Sequence, residues 1–272
     1  MTHPVLARLA SDDPEERRAA CRDAAEDPAG VLFAEALAEA LGDPSKPVAR
    51  AASHALVAVA RRAGGGVEEA VRGALHGRCP ERRWGAALTL ARLEPPSPRL
   101  LPPLVEALGA ADGDVRWAAA RVVVDVGRLH GEVLPLLVGL VREAEPPVVR
   151  RMAAYALREL APDRPEAADA LVDAARDADL HVRRAALTAM ASLLAPPPHV
   201  GRCLLETLRA DADAAARRLA ALALGEIGAA DPEAVPPETA RQLHEVQAAD
   251  GDPDLQRAAG RALARLASGV AA

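Results

Sequence analysis

Hydrophobic residues recur along this chain at spacings of three and four, which is the periodicity of an amphipathic α-helix. In one clear segment Ala118, Ala119, Val122 and Val126 fall within about 60° of Val115 when successive residues are placed about 100° apart. Polar residues occupy the opposite side of the same segment. A stripe of this kind is the side that a helix buries, so the pattern predicts a helix with one packed face.

One short motif is repeated along the chain. Its clearest copy is Asp114–Ala120, which reads Asp-Val-Arg-Trp-Ala-Ala-Ala, and equivalent residues occupy positions 17, 49, 83, 116, 150, 183, 217 and 256. The copies are 32 to 34 residues apart, except for a last interval of 39. So regular a period indicates a stacked repeat array. Gln256 stands where most copies have Arg, as expected of an atypical terminal unit.

Each copy of the motif follows an apolar helical stretch of its own, for example Val31–Leu41 or Leu100–Leu108. Asp, Gly and Pro separate the two helices, and Pro-rich or Gly-rich breaks such as Gly64–Gly66 separate the units. We therefore expect one uninterrupted array over residues 1–272 with about eight helix-turn-helix units. Their approximate limits are 3–27, 30–62, 66–93, 98–129, 131–160, 165–194, 198–228 and 233–268.

The full pattern, Asp-x-x-Val-Arg-x-x-Ala-Ala-x-Ala-Leu, resembles the HEAT repeat in the short bacterial form that is also found in phycobilisome-lyase proteins. The resemblance covers nearly the whole chain and implies an all-α solenoid, a superhelix of helix pairs. It says little about function, because such arrays serve as adaptors, inhibitors, lyase subunits and DNA glycosylases. The period also matches tetratricopeptide repeats, but their Trp-Leu-Gly-Tyr pattern is absent from this sequence.

Composition supports the all-α prediction. The apolar half of the chain is mostly Ala, Leu and Val, and the aromatic residues are only Phe33, Trp84, Trp117 and Tyr155. These residue types lose little side-chain freedom in a helix, whereas a sheet protein uses more aromatic and β-branched side chains.

Charge and cysteine content restrict the classes of partner. A net charge of -6 argues against coating of nucleic acid or adsorption to an anionic membrane. Cys21, Cys79 and Cys203 are widely spaced and form no metal-ligand motif, which favours a reducing compartment. No secretory signal and no membrane-spanning stretch is evident in the sequence, so we expect a cytoplasmic protein.

The resemblance implies a structural role for the arginine of the motif. In HEAT arrays this arginine bonds an aspartate of the neighbouring unit. The arginines assigned to such a ladder are Arg17, Arg83, Arg116, Arg150, Arg183 and Arg217.

The side opposite the packed stripe holds the candidate binding residues. Trp117 and Arg121 fall about 200° and 240° from Val115, with Val124 near 180°. Because the resemblance implies that second helices line a concave surface, these positions would face a groove. Reading them across the repeats predicts the partner-binding residues Arg50, His54, Trp84, Trp117, Arg121, Arg151, Tyr155, Arg184 and Arg218.

Trp84 and Trp117 flanked by arginines have the composition of a binding hot spot. An indole can also fold over its own helix, or fill the gap left by Gly85, and the arginine row can be a solvated face. Both interpretations are open at this point. The functional one predicts an adaptor whose groove binds an acidic or aromatic-bearing protein segment, with Arg pairing carboxylates.

No motif for catalysis, metal binding or a cofactor is present, and Gly64–Gly66 lacks the Lys-Ser/Thr of a phosphate-binding loop. We therefore predict a non-enzymatic scaffold with a protein or peptide partner and no cofactor. An alternative is a HEAT-like DNA-alkylation glycosylase, although the carboxylate that such enzymes need beside Trp117 is replaced by Arg121. A bilin-lyase-like subunit is a lesser alternative.

Overall fold

The computed structural model describes residues 3–63 and 66–270. Within these ranges every regular element is helical and no strand occurs. The all-α prediction is therefore confirmed. The predicted break at Gly64–Gly66 includes Gly64 and Gly65, which lie outside the described residues.

The chain divides into two compact units, Met1–His130 and Gly131–Ala272. The single uninterrupted array and the repeat limits stay predictions. The first unit contains the α-helices α1 (Pro4–Leu9), α2 (Pro14–Glu26), α3 (Ala34–Glu39), α4 (Lys46–Ala63), α5 (Gly66–Ala74), α6 (Pro80–Leu90), α7 (Leu101–Ala107) and α8 (Gly113–Leu129).

The second unit contains α9 (Val133–Glu143), α10 (Pro147–Leu160), α11 (Pro165–Ala174), α12 (Leu180–Met190), α13 (Pro198–Ala210), α14 (Ala214–Ala230), α15 (Thr239–Ala249) and α16 (Pro253–Val270). Short 3-10 turns lie at Gly30–Phe33, Ala40–Gly42, Pro98–Leu100 and Pro232–Ala234.

Each unit is a stack of helical hairpins. In the first unit α2, α4, α6 and α8 pack in succession, and in the second α10, α12, α14 and α16 do the same. Each of these helices also packs against the helix that precedes it in the chain. The core between the two layers is built mainly of Leu, Val and Ala, with fully buried side chains such as Leu56, Leu104 and Leu187.

Aspartate caps begin several of the second helices, as the turn residues predict. The carboxylates of Asp112, Asp179 and Asp213 accept hydrogen bonds from backbone N–H groups in the first turns of α8, α12 and α14. Two of the predicted first helices are less regular than expected. Residues 31–41 split into two 3-10 turns around the short α3, and residues 98–100 form a 3-10 turn before α7.

Candidate functional site

The arginine of the repeated motif ties six of the second helices to the turn before them. Its Nη1 donates to a carbonyl oxygen six residues earlier, and the same spacing holds at every arginine assigned to the ladder. The pairs are Arg17–Ser11, Arg83–Gly77, Arg116–Ala110, Arg150–Ala144, Arg183–Asp177 and Arg217–Asp211. Gln256 keeps the bond in the last copy through its amide, which reaches the Asp250 carbonyl oxygen.

Four of these arginines also bind a carboxylate of the following hairpin. The acceptors are Asp43 for Arg17, Glu106 for Arg83, Asp177 for Arg150 and Asp211 for Arg183. Burial acts to raise the pKa of Asp177, but hydrogen bonds from Arg150 and the Asp179 amide outweigh it, and the pKa is lowered. These residues therefore hold consecutive hairpins in register. Arg217 differs, because its Nε is buried with no hydrogen-bond acceptor among the residues that the structure describes.

A second row of arginines lies one residue further along most of the second helices, with Trp84 and Trp117 at the row positions of α6 and α8. Arg184 forms two hydrogen bonds with Asp213, at 2.8 and 2.6 Å, and Arg218 lies 2.9 Å from Asp254. Both acceptors lie at the start of the next second helix. The sequence predicts that Arg184 and Arg218 bind a partner's negative charge. In the structure both bind carboxylates of the chain itself.

The hairpin of α5 and α6 departs from this second row at two positions. The row residue lies five positions after the residue that caps its helix, as in Asp179 and Arg184. In α6 the capping position holds Cys79 and the row position holds Trp84. This hairpin therefore offers no carboxylate to Arg50 of the preceding hairpin and no arginine to Asp112 of the following one.

Arg50 and Asp112 find other partners directly between α4 and α8. Lys46 Nζ lies 2.5 Å from Asp112 and 2.9 Å from Asp114, and Arg50 Nη2 lies 2.8 Å from Asp114. We call these four residues the ion-pair bridge. Hydrogen bonds from Lys46 lower the pKa of both Asp112 and Asp114, and the same bonds raise the pKa of Lys46.

A cavity of about 760 Å³ lies beside the ion-pair bridge in the first unit. Its apolar lining comes from Trp84 and Leu88 of α6, with Leu41, Ala49, Val115 and Ala118 from neighbouring elements, and the bridge residues line it as well. We call it the first-unit cavity. Its volume lies in the range of about 300–1,000 Å³ that ligand-binding clefts occupy.

Gly85 allows α6 to lie close to residues 40–42, and this close approach shapes one wall of the cavity. A Cβ atom on Gly85 would lie only 2.9 Å from the Leu41 carbonyl oxygen, which belongs to the backbone and cannot move aside. Gly85 is therefore required by close packing between α6 and residues 40–42.

The two tryptophans occupy different environments, although the sequence predicts an exposed pair. Trp84 is half-buried, and its Nε1 is enclosed without an acceptor among the described residues. Trp117 is 51% exposed and is outside the cavity lining. Val124, which the helical wheel places beside Trp117 on the open side, is only 5% exposed. That expectation is wrong because α8 packs against both α6 and α7, so more than one side of it is covered.

The other predicted binding residues divide between the two units. His54 and Arg121 are exposed on α4 and α8 of the first unit. Arg151 and Tyr155 are half-buried on α10 of the second unit. Of the nine predicted binding residues, the first-unit cavity brings together Arg50 and Trp84.

Sequence reasoning missed Lys46, Asp112 and Asp114, which the structure places beside Trp84 at the cavity. A usable signal was present in the sequence. The pair of Asp and Arg five residues apart is interrupted at one end in some hairpins, by Ser45, Trp117 or Pro146, but Cys79 and Trp84 replace both of its members in a single hairpin. Arg50 before that hairpin and Asp112 after it lack partners within it, and both take part in the ion-pair bridge.

Among the described residues no group of three His, Cys, Asp or Glu side chains is placed to hold a metal ion. In the same part of the chain no helix is both long enough and apolar enough to cross a membrane.

Comparison with known proteins gives one family and several structural neighbours. The HEAT repeat family matches residues 67–158, which include the hairpin with Trp84. The crystal structure of YibA from Escherichia coli is similar with a TM-score of 0.58 and 18% identity, over 96% of this chain and 91% of that one. No curated protein matches the sequence.

Two much longer chains also share the fold. The Kap121p mutant D353K/E396K/D438K has a TM-score of 0.63 and 13% identity, over 96% of this chain and 33% of that one. The structure containing Kap95p, whose binding induces the switch loops of RanGDP to adopt the GTP-bound conformation, has a TM-score of 0.64 and 15% identity. That match covers 98% of this chain and 40% of the other.

Proposed function

We propose that this chain, in which residues 67–158 match the HEAT repeat family, is a non-enzymatic interaction scaffold whose first unit binds a segment of a partner protein. The fold is suited to this role because stacked hairpins present an extended surface made from many second helices. Kap95p, which has this fold, acts by binding another protein. The first-unit cavity is the proposed contact.

The observation that carries the proposal is an apolar cavity with an exposed indole on an adjoining helix. Trp84 and Leu88 line the cavity from α6, while Trp117 is half-exposed on α8, which also lines it. Aromatic anchors beside a pocket that can be desolvated supply most of the binding energy in typical interfaces. The remaining contacts of such an interface contribute shape complementarity.

The partner segment is proposed to bear an aromatic or large aliphatic side chain. An acidic segment, the other possibility that the sequence raises, has less support because Arg50, Arg184 and Arg218 are bound to Asp114, Asp213 and Asp254. Among the predicted binding residues of the first unit, Arg121 is exposed and still favours an acidic segment.

The proposal is tested by affinity capture from the organism that encodes the chain, followed by quantitative mass spectrometry. Three variants are compared with the wild type. Ala49→Leu fills the cavity with a good helix-forming residue, Trp117→Ala removes the exposed anchor, and Leu194→Ala removes a side chain that is 63% exposed in the second unit.

We expect the same protein to be enriched by the wild type and by Leu194→Ala, and to be reduced at least about tenfold with Ala49→Leu, which corresponds to about 1.4 kcal/mol of binding free energy. Trp117→Ala should reduce it as well. Equal enrichment with all four chains, or no enriched protein, contradicts the proposal. Release of a base from alkylated duplex DNA by the wild type would instead support the glycosylase alternative.

A further inference from the structure

The charges around the first-unit cavity are unequal. Four carboxylates line it, those of Asp43, Glu81, Asp112 and Asp114, against two cationic side chains, Lys46 and Arg50. Asp43 is held by the guanidinium of Arg17 outside the lining. One carboxylate in excess therefore remains, and Glu81 supplies it, with the Cys79 thiol as its hydrogen-bond donor.

Lys46 is the one lysine of the chain, and it bridges two carboxylates. Its side chain is 46% exposed, and that of Asp114 is 70% exposed. Ion pairs so open to water stabilise a fold only weakly, because water competes for both charges. Another cation can therefore replace Lys46 at Asp112 and Asp114 at little cost in stability.

The apolar part of the cavity adjoins these carboxylates. Leu88 and the indole of Trp84 provide a surface for an aliphatic or aromatic group, and Val115 lies one position beyond Asp114 on α8. Burial of such a group is favourable because it removes apolar surface from water. A ligand that carries both an apolar group and an adjacent positive charge would use both parts of the cavity.

We infer that the first-unit cavity binds a partner segment in which an aromatic or aliphatic side chain lies next to Lys or Arg, and that the partner's cation replaces Lys46 at Asp112 and Asp114. This rests on the proposed scaffold function and names the chemistry of its partner. An acidic segment is disfavoured at this cavity because it would bring a further negative charge beside the Glu81 carboxylate and the aspartates of the bridge.

Three blocked decapeptides test the inference on the full chain. Each has an acetylated N-terminus, an amidated C-terminus and a central Leu-Phe pair, and the flanking positions hold Arg, Glu or Ser. In a Trp117→Phe background, which keeps an aromatic ring at the exposed anchor, Trp84 is the one tryptophan left, so its emission reports on the cavity. The peptides contain no amine, so Lys46 can be followed separately by its acylation with an N-hydroxysuccinimide ester and peptide mass mapping.

The Arg peptide should bind at least about tenfold more tightly than the Glu peptide at low salt, with the Ser peptide between them. The difference should shrink at about 1 M salt, where charges are screened beyond roughly 3 Å. Lys46 should be acylated several-fold faster when the Arg peptide is bound, because its amine has left the two carboxylates.

Three variants separate the charge effect from folding. Asp112→Asn with Asp114→Asn should abolish the preference for the Arg peptide, while Asn at position 112 keeps the helix cap. Asp179→Asn, a matched cap in the second unit, should leave the preference unchanged. Lys46→Met should tighten binding of the Arg peptide several-fold, because the competing cation is gone.

Equal or tighter binding of the Glu peptide, retention of the preference in the double variant, or no saturable binding of any peptide overturns the inference. If protein capture depends on the cavity while the peptides show no preference, the scaffold function stands and the partner chemistry proposed here is wrong. If cavity-dependent capture also fails, the proposed function itself is wrong.

Discussion

Lys46 at the start of α4 and Asp112 at the cap of α8 form an ion pair of 2.5 Å, although the complete hairpin of α5 and α6 lies between them in the chain. The pair exists because Cys79 and Trp84 replace the aspartate and arginine that would otherwise connect consecutive hairpins. Trp84 also gives the cavity its indole wall. The replacement of arginine by Trp84 thus removes a contact between hairpins and also forms part of the candidate binding surface.

Gly85→Ala should destabilise the protein by about 1–3 kcal/mol, because the new Cβ would lie 2.9 Å from a backbone oxygen of Leu41. Gly139→Ala is the matched control. Gly139 lies inside α9 with open space around it, so alanine should stabilise the protein by about 0.5–1 kcal/mol. Urea denaturation followed by circular dichroism gives both changes, and equal effects would show that α6 is not packed as closely as described.

Trp84→Ala should lower the free energy of unfolding by about 1–3 kcal/mol, since half-burial of the indole yields part of what a fully buried aromatic contributes. Trp117→Ala should lower it by less than about 1 kcal/mol, because the side chain is 51% exposed. The measurement is the denaturation midpoint of each variant at fixed protein concentration. A larger loss for Trp117→Ala would assign that indole to packing.

The pair of Arg184 and Asp213 should make stability depend on pH in acid. Hydrogen bonds from Arg184 are the main cause that lowers the pKa of Asp213 to about 2, below the ordinary value of about 3.9 in an unfolded chain. The charged form is therefore favoured by folding, so the stabilisation is present above about pH 4 and is lost as the pH falls towards 2.

Asp213→Asn isolates this effect, because the amide oxygen can still accept the hydrogen bond from the Ala216 N–H. Wild type should exceed the variant by about 0.5–1 kcal/mol at about pH 6, and the gap should close near pH 2. Unfolding free energies measured across this range check the sign. A gap that is constant with pH would contradict the account.

Native protein at about pH 8 should expose one reactive thiol. Burial raises the pKa of Cys21 to about 11 and also raises the pKa of Cys203, so both stay protonated, whereas Cys79 is only half-buried. A disulfide reagent should label Cys79 first and all three cysteines after unfolding. Rapid labelling of a second thiol, or persistence of the fast phase in Cys79→Ser, would contradict this assignment.

Much of the fold could be predicted from the sequence because it depends on local signals. The motif period, the aspartate caps and the apolar stripes each act within one hairpin, and all-helical structure follows from them. The irregular first helices were not predicted, because Gly30 and Pro98 shape turns whose type depends on what they pack against.

The candidate site was predicted only in part, for a physical reason. A helical wheel describes one helix, and it correctly separates Val115 from Trp117. It cannot show that Arg50 reaches past a neighbouring hairpin to Asp114, or that Val124 is covered by a second helix. Comparing equivalent positions between hairpins, as with Cys79 and Trp84, is the step that reveals such contacts.

The central claim is that the first-unit cavity holds a partner side chain. Its most direct test is isothermal titration of the purified captured partner into wild type and into Ala49→Leu, with thermal unfolding of both chains as the control. We predict unchanged thermal stability to within about 1 kcal/mol and affinity at least about tenfold weaker for Ala49→Leu. Equal affinity for the two chains would contradict the claim.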